Sequence, residues 1–236
     1  MEDKTILLSS TYFGPVQWYQ KLNRHRCVIE QHDNFVKQTY RNRCVIASAN
    51  GPQTLTVPTE RYDGLKCPMR DIRISDHGNW RHLHWQALVS AYGETPFFEY
   101  YADDLRPYFE ERRWDYLLDF NLDIMHTLCS LLDIRPTLSL SDHYITTDAP
   151  TAAHAATTTA HAAATATTGG SDSMGEEAEL NFIDLRDAIR PKRPLPDNEF
   201  NPRPYYQVRA ARHGFLPNLS VLDLLFNEGP EGIFWL

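Results

Sequence analysis

Over residues 1–147, short apolar runs alternate with segments whose apolar positions have the spacing of a helix. The stretches TILLSSTYF and RCVIEQHDNF contain continuous apolar runs, which predict strands of a buried sheet. Between them, PVQWYQKLNRH begins with a proline suited to the first turn of a helix and continues with helical spacing. This strand–helix–strand order predicts a parallel βαβ unit. The predicted fold class is therefore α/β, a small and largely parallel sheet with flanking helices.

Three further segments have recognisable patterns. The stretch RCVIASANGPQTLTVP predicts two strands joined by a turn at Asn50–Gly51. In WRHLHWQALVSAYG, a helix is predicted from about Trp80 through Tyr92, ended by Gly93. Residues 103–134 are predicted to form one amphipathic helix, because large apolar residues recur near a period of 3.6. In that helix Pro107 is expected in the first turn.

The amino-acid composition changes twice along the chain, and these changes predict its domain organisation. Residues 148–175 are nearly all alanine and threonine until the glycines, so they have little apolar surface to offset the entropy of ordering. They are predicted to be a disordered insertion or linker. Residues 1–147 would form the α/β core. Residues 176–236, which end in an apolar Ile-Phe-Trp-Leu, would pack back on that core to give one domain overall.

Composition narrows the class of partner. The 236 residues carry a formal net charge of −8, which argues against nucleic acid or a membrane surface as a partner, because both attract positive proteins. No apolar stretch approaches the roughly 20 residues that would span a bilayer. The four cysteines are widely spaced and no signal peptide is recognisable at the start. We therefore predict a cytoplasmic protein with a small-molecule substrate.

The stretch DHGNWRHLHW contains three histidines and two tryptophans in ten residues. On the predicted helix His82 and His84 point in roughly opposite directions, and no other ligand has the i, i+4 spacing to His84 that zinc sites on helices use. No metal is therefore predicted. His82 is expected to face solvent. His84 lies in an apolar stripe, where it is either a buried histidine satisfied by one hydrogen bond or a general acid–base group.

A local excess of positive charge lies in FVKQTYRNRC, which contains Lys37, Arg41 and Arg43. Guanidinium and ammonium groups suit phosphate oxygens, so these residues are candidates for holding a nucleotide or a phosphorylated substrate. The alternative is a solvated basic face. No Walker loop and no G-x-G-x-x-G accompanies the stretch, so a cradle of glycine amides is not indicated.

Four ordered pieces of the sequence resemble the WbqC-like family of bacteria: LLSSTYFGPVQWYQKL, KQTYRNRCVIASANGPQTLTVP, DIRISDHGNWRHLHWQALVSAYGETPFFEYY and GFLPNLSVLDLLFNEGPE. They include the family's usual Tyr-Phe-x-Pro beginning at Tyr12, Asn-Arg at Asn42, Trp-x-x-x-His beginning at Trp80, and the closing Leu-Ser-x-x-Asp-Leu-Leu-Phe-Asn-x-Gly beginning at Leu219. The resemblance implies an association with surface-polysaccharide (O-antigen) gene clusters. Some of these clusters decorate amino sugars with acyl or aminoacyl groups.

The first hypothesis from this resemblance is a transferase that adds a small acyl or aminoacyl group to a nucleotide-linked amino sugar or a similar precursor, without a cofactor. The predicted catalytic residues are His84, Asp223 and Glu228, and the predicted substrate-binding or phosphate-binding residues are Tyr12, Lys37, Arg41, Asn42, Arg43 and Asn227. Of these, Lys37, Arg41, Arg43 and His84 are expected together at the carboxyl ends of the parallel strands.

Two alternatives remain open. One is a non-catalytic binding or scaffold protein in polysaccharide assembly, and the other is a nucleotidyltransferase-like enzyme. Convergence of Lys37, Arg43, His84 and Asp223 on one pocket would favour an enzyme, whereas dispersal would favour the scaffold. A nucleotidyltransferase would need a triphosphate cradle at the end of the first strand.

Overall fold

A computed structural model of the protein describes residues 4–111, 113–147, 158–159 and 181–236. The strands are β1 (Thr5–Ser9), β2 (Arg26–Glu30), β3 (Arg43–Ser48), β4 (Gly51–Thr56), β5 (Thr137–Leu140), β6 (Thr158–Thr159) and β7 (Asn181–Asp184). The helices are α1 (Val16–Arg24), α2 (Trp80–Tyr92), α3 (Phe98–Leu105), α4 (Pro107–Glu110), α5 (Leu117–Leu131), α6 (Ala210–His213) and α7 (Val221–Glu228), with 3₁₀ turns at Met69–Asp71 and Gly229–Trp235.

The central sheet has the strand order β5-β2-β1-β7-β6. The strand β1 pairs in parallel with β2 on one side and with β7 on the other, and β2 pairs in parallel with β5. Only the two-residue β6 is antiparallel, and it lies at the edge beside β7. The order β1-α1-β2 is the predicted parallel βαβ unit. The prediction of an α/β fold with a largely parallel sheet is confirmed.

Successive side chains of β1 point to opposite faces of the sheet, as strand geometry requires. Ile6 and Leu8 belong to a large core to which the helices contribute most of their buried side chains. Leu7 lies between them and faces the other side of the sheet. The smaller cluster on that side consists of Leu7, Val28, Ile145 and Phe182. Both faces of the sheet are covered, which explains why β1 reads as a continuous apolar run.

The predicted hairpin and the predicted helix of the histidine stretch are both confirmed. The strands β3 and β4 pair antiparallel around the turn, where Gly51 has a φ of +105° that suits glycine. Helix α2 begins at Trp80 and ends at Tyr92. Gly93 follows it in the right-handed helical region, so the helix does not end in a left-handed glycine cap.

The single helix predicted over residues 103–134 is wrong, because the chain forms α3, α4 and α5 there. Pro107 does begin a helix, the short α4. The break before α5 arises because the backbone of residues 115–117 pairs with residues 72–74 instead of with itself. Ile74 N donates to Asp115 O and Leu117 N donates to Ile72 O, each at 2.8 Å. Helical spacing of the apolar residues could not reveal that competing partner.

The last part of the chain contributes to both the sheet and the large core. It supplies β7, a strand that the sequence pattern did not predict, and helix α7. The start of α7 is tied to the loop after β1, since Val221 N donates to Gly14 O at 2.9 Å and Ser220 Oγ donates to Phe13 O at 2.8 Å. Gly229 ends the helix with a φ of +59°, and a Cβ there would lie 2.6 Å from the ring of Phe97.

Two residues of the predicted insertion are described, Thr158–Thr159, and they form β6. The rest of the segment predicted to be disordered lies outside the described residues. Within the described ranges, no helix has the length and apolar character needed to cross a membrane.

Candidate functional site at the carboxyl edge of the sheet

A cleft opens where two neighbouring parallel strands, β1 and β7, end. From β1 the chain continues through α1 to β2 and later to β5 on one side, whereas β7 lies on the other side. This makes the β1–β7 border the topological switch point, the position at which open α/β sheets bind their ligands. The cleft is lined by Ser9, Ser10, Thr11, Trp18, Thr39, Tyr40, Arg41, Leu185, Arg186 and Ile189.

Arg41 reaches the cleft from the loop that precedes β3, and its side chain is 3% exposed. Its Nη2 donates to Asp33 Oδ2 and lies 3.7 Å from a carboxylate oxygen of Asp187. Its backbone carbonyl accepts a hydrogen bond of 2.8 Å from Asn121 Nδ2, which fixes the loop. The Nε of Arg41 is buried and has no partner among the described residues.

Arg186 lies two residues beyond the end of β7, and its side chain is 8% exposed. Its Nη2 donates to Asp184 Oδ2 at 2.6 Å and its Nε donates to Asp184 Oδ1 at 3.0 Å. Its Nη1 lies 3.6 Å from Glu30 Oε2, too far for a hydrogen bond, and that nitrogen is otherwise unpartnered in the described chain. Both arginines line the cleft, and each has one buried nitrogen without a hydrogen-bond acceptor among the described residues.

Two buried carboxylates stand at the end of β2. Glu30 is fully used: it accepts from Ser141 Oγ at 2.7 Å and from the backbone N–H groups of His32 and Ile145, each at 2.8 Å. Asp33, by contrast, has one carboxylate oxygen in use. Its Oδ2 accepts from Arg41 and from Ser9 Oγ, whereas its Oδ1 is buried without a partner among the described residues. Burial raises the pKa of Asp33, an effect that Arg41 opposes and Glu30 reinforces.

The first turn of α1 does not offer its amides to a ligand. Val16 N donates to Leu219 O at 3.0 Å, and Gln17 N donates to Asn218 Oδ1 at 3.0 Å. Anion binding at this helix terminus, as in a triphosphate cradle, would have to displace these two bonds.

Of the predicted basic residues, only Arg41 lines the cleft. Lys37 is exposed, and its Nζ lies 5.8 Å from the centre of the Tyr62 ring. Arg43 is half-buried on β3, with its Nε unpartnered in the described chain. Asn42 is buried, and its Nδ2 donates to the carbonyl of Val57 at 2.9 Å. The structure therefore separates the three basic residues that the sequence places within one short stretch.

His84 is buried in an aromatic cluster and does not line the cleft. Its Nδ1 shares a hydrogen bond of 2.8 Å with the hydroxyl of Tyr12, and its ring packs against Trp80 at 5.1 Å between centroids. Burial lowers the pKa of His84 to about 4, which a backbone hydrogen bond to Thr56 partly opposes. His84 is therefore neutral at pH 7. His82, by contrast, is exposed, as predicted.

The predicted acidic residues of α7 form a second buried network. Asp223 Oδ2 accepts from Tyr205 Oη at 2.7 Å and from Gln207 Nε2 at 2.8 Å. Asn227 and Glu228 continue this network. Asn227 Oδ1 accepts a hydrogen bond of 3.0 Å from Val208 N, and Glu228 Oε1 accepts one of 2.7 Å from Tyr206 N. None of these three residues of α7 lines the cleft. In the described structure their contacts anchor residues 205–208 to the helix.

Sequence reasoning missed three residues of this site, Glu30, Asp33 and Arg186. A signal for the first two was present, since the polar run EQHD follows the apolar Cys-Val-Ile of β2 and so marks where that strand ends. Arg186 could not be placed because β7 itself was not predicted. Within the described ranges, no group of three or more histidine, cysteine, aspartate or glutamate side chains could hold a metal ion.

The Tyr12–His84 hydrogen bond supports a stability test with a matched control. Tyr12→Phe should lower the free energy of unfolding by about 1–3 kcal/mol, because it leaves a buried ring nitrogen of His84 unpaired. Tyr19 is as deeply buried, yet its hydroxyl has no partner among the described residues, so Tyr19→Phe should be neutral or stabilising. Urea denaturation of the two variants measures the difference. Equal losses in both would mean that the hydrogen bond contributes nothing.

Comparison with protein families matches residues 10–234 to the WbqC-like protein family. The chain is also similar to the Uncharacterized protein Rv1507c of Mycobacterium tuberculosis, with 29% identity over 204 residues that cover 86% of this chain and 84% of that protein. No solved structure matches the chain.

Proposed function

Since the chain belongs to the WbqC-like protein family, we propose that it is a transferase that acts on a phosphorylated precursor, such as a nucleotide-linked amino sugar, in surface-polysaccharide biosynthesis. The cleft between the ends of β1 and β7 would hold the phosphate of this precursor. The amine of the sugar would attack the carbonyl carbon of an activated acyl or aminoacyl donor such as a thioester. The amide C–N bond would form as the bond from that carbon to the donor's leaving group breaks, and the leaving group, a thiol for a thioester, would depart with the proton that the amine gives up.

The observation that carries the proposal is the pair of buried arginines that line the cleft, Arg41 and Arg186, each with one nitrogen that has no hydrogen-bond acceptor among the described residues. A buried donor without an acceptor costs about 1–3 kcal/mol, so an oxygen-rich ligand that supplies acceptors relieves that cost. Phosphate oxygens suit guanidinium groups in particular, because several acceptors lie at the spacing of the planar donors. Two residues with hydroxyl side chains, Ser10 and Thr11, line the same cleft.

Proton transfer in this proposal is assigned to Asp33, which lies beside the cleft and is hydrogen-bonded to residues that line it. The hypothesis from the sequence names His84 as a catalytic residue and a candidate general acid–base group, but His84 is bonded to Tyr12 and does not line the cleft. Asp33 contacts two side chains that do line it, Ser9 and Arg41. Its pKa is raised by burial, which makes it a better proton acceptor than an ordinary aspartate.

A nucleotide titration tests the phosphate site. Uridine diphosphate should raise the melting temperature of the protein by an amount that grows with its concentration. Arg41→Lys should raise the Kd by at least about tenfold, because lysine keeps the charge and loses the paired planar donors. Calorimetric titration measures the Kd directly.

Arg43→Lys is the matched control, since it makes the same change two positions along the chain at a residue outside the cleft. Its Kd should stay within about twofold of the wild type. No melting shift with uridine diphosphate, or an equal loss in both variants, would contradict the proposed site.

A second candidate is a non-catalytic binding protein of polysaccharide assembly. The dispersal of Lys37, Arg43, His84 and Asp223, none of which lines the cleft, favours it. The two candidates differ in a strain that lacks the gene. A transferase predicts that its unmodified nucleotide-sugar precursor accumulates, as seen by mass spectrometry, whereas a binding protein predicts no such accumulation.

A further inference from the structure

We propose that the ligand of the cleft is zwitterionic, with a primary ammonium group close to its anionic group. Arg41 and Arg186 would bind the anion, and the free carboxylate oxygen of Asp33 would bind the ammonium. The inference rests on the proposed function for the place of the site. It adds the chemical class that the site selects.

The first argument is the pattern of unused hydrogen-bonding atoms. On one side these are the nitrogen donors Arg41 Nε and Arg186 Nη1, and on the other the acceptor Asp33 Oδ1. The Asp33 residue is 6% exposed, so bulk water cannot readily satisfy that oxygen. A ligand with oxygens alone would pair the donors and leave the acceptor unpaired. An ammonium group beside the anion satisfies both.

The second argument is charge. The ion pairs around the cleft join two arginines to four carboxylates, which when all ionised leave a net charge of −2; they are Arg41, Arg186, Glu30, Asp33, Asp184 and Asp187. A purely anionic ligand would add to this negative excess in a partly buried site, where charges are weakly screened. A ligand that also carries a positive charge offsets part of it, so charge complementarity favours a zwitterion.

Two sources share this chemistry, an amino sugar phosphate and a free amino acid. Both carry an ammonium group and an anionic group separated by a few bonds. In the proposed transfer, the carboxylate of Asp33 would take the proton that the ammonium must lose before its nitrogen can attack an acyl group.

The test is a calorimetric comparison of sugar phosphates that differ only at one carbon. Glucosamine 1-phosphate, whose amine and phosphate lie on neighbouring carbons, should bind at least about tenfold more tightly than glucose 1-phosphate, because a charge-assisted hydrogen bond to Asp33 is gained. N-acetylglucosamine 1-phosphate, which has lost the positive charge, should bind like glucose 1-phosphate. Glycine is included to represent the free amino acid.

Asp33→Asn should remove the preference for the amine, so that the two sugar phosphates bind within about threefold of each other. Asp187→Asn is the matched control. It removes a carboxylate 3.7 Å from the same Arg41, but one whose side chain is 72% exposed, and it should keep the preference. If Asp33→Asn does not fold, the comparison of ligands on the wild-type protein still decides.

The outcomes separate this inference from the proposed function. Equal binding of glucosamine and glucose 1-phosphates to the wild type overturns the inference and leaves the phosphate site standing. Binding of glycine but of no phosphate supports the zwitterion and contradicts the phosphate site. A preference for the amine that survives Asp33→Asn overturns the assignment to Asp33. Binding of none of these probes overturns both proposals.

Discussion

Glu30→Ala is expected to lower the free energy of unfolding by about 3–5 kcal/mol, the largest loss that we predict for a single side chain here. The carboxylate of Glu30 is fully buried at the end of β2. Its removal leaves three hydrogen-bond donors without an acceptor, namely Ser141 Oγ and the backbone N–H groups of His32 and Ile145. It also leaves Arg186 without the carboxylate 3.6 Å from its Nη1.

Glu60→Ala is the control for this variant. Glu60 also pairs with an arginine at 3.6 Å, Arg73, but its side chain is 52% exposed. Exposed pairs contribute about 0–1 kcal/mol, so this variant should unfold at nearly the same urea concentration as the wild type. A loss below about 1 kcal/mol for Glu30→Ala would mean that water replaces the lost contacts and that this edge of the sheet is open.

The elements that sequence analysis predicted correctly are those whose partners are local. The unit β1-α1-β2 follows from two apolar runs around a helical stretch, and the β3–β4 turn from Asn50–Gly51. Helix α2 begins and ends at the predicted residues, Trp80 and Tyr92, because the loop before it and Gly93 after it limit the apolar face at both ends. In each case the pattern that identifies the element lies within one continuous stretch of the chain.

The elements that it missed depend on distant partners. The break between α4 and α5 is set by pairing with residues 72–74, which no periodicity within the helix records. The strand β7 has only four residues, and its place beside β1 depends on chain segments far apart in the sequence. The cleft lies between β1 and β7. The sequence pattern therefore could not assign its second arginine, Arg186, to the cleft.

For the candidate site, the residue types were easier to predict than their grouping. The basic stretch did contain Arg41, yet the loop turns Lys37 outwards and strand β3 carries Arg43 away from the cleft. His84 was correctly placed on an apolar face, with the choice between a buried and a catalytic histidine left open. The hydrogen bond to Tyr12, distant in sequence, now favours the buried role.

The second large effect concerns pH and Asp223 on α7. This carboxyl group is almost fully buried, and its hydrogen bonds come from uncharged side chains, among them Tyr205 and Gln207. Burial raises the pKa of Asp223 to about 6, and these hydrogen bonds only partly oppose the rise. Its ordinary value is about 4, so the folded protein holds this proton more tightly than the unfolded chain does.

The sign of the pH dependence follows from that difference. A raised carboxyl pKa stabilises the fold at low pH, and this contribution is lost as the pH rises from about 4 through about 6. A shift of roughly two units corresponds to about 3 kcal/mol. Asp223→Asn has no proton to lose. The stability of the wild type relative to this variant should therefore fall by about 3 kcal/mol between pH 4 and pH 7.

The comparison with the variant is needed because His84 acts in the opposite direction. Burial lowers the pKa of His84 to about 4, so its contribution to stability grows as the pH rises towards 6.5, and the wild-type curve contains both effects. Subtracting the Asp223→Asn curve removes the contribution of His84.

As a control, Asp119→Asn on the exposed side of α5 should differ from the wild type by a constant amount, because that carboxyl stays in water in both states. Urea denaturation at half-unit intervals of pH gives all three curves. A difference between wild type and Asp223→Asn that stays flat from pH 4 to pH 7 would mean that water reaches Asp223 and that α7 is not sealed against residues 205–208.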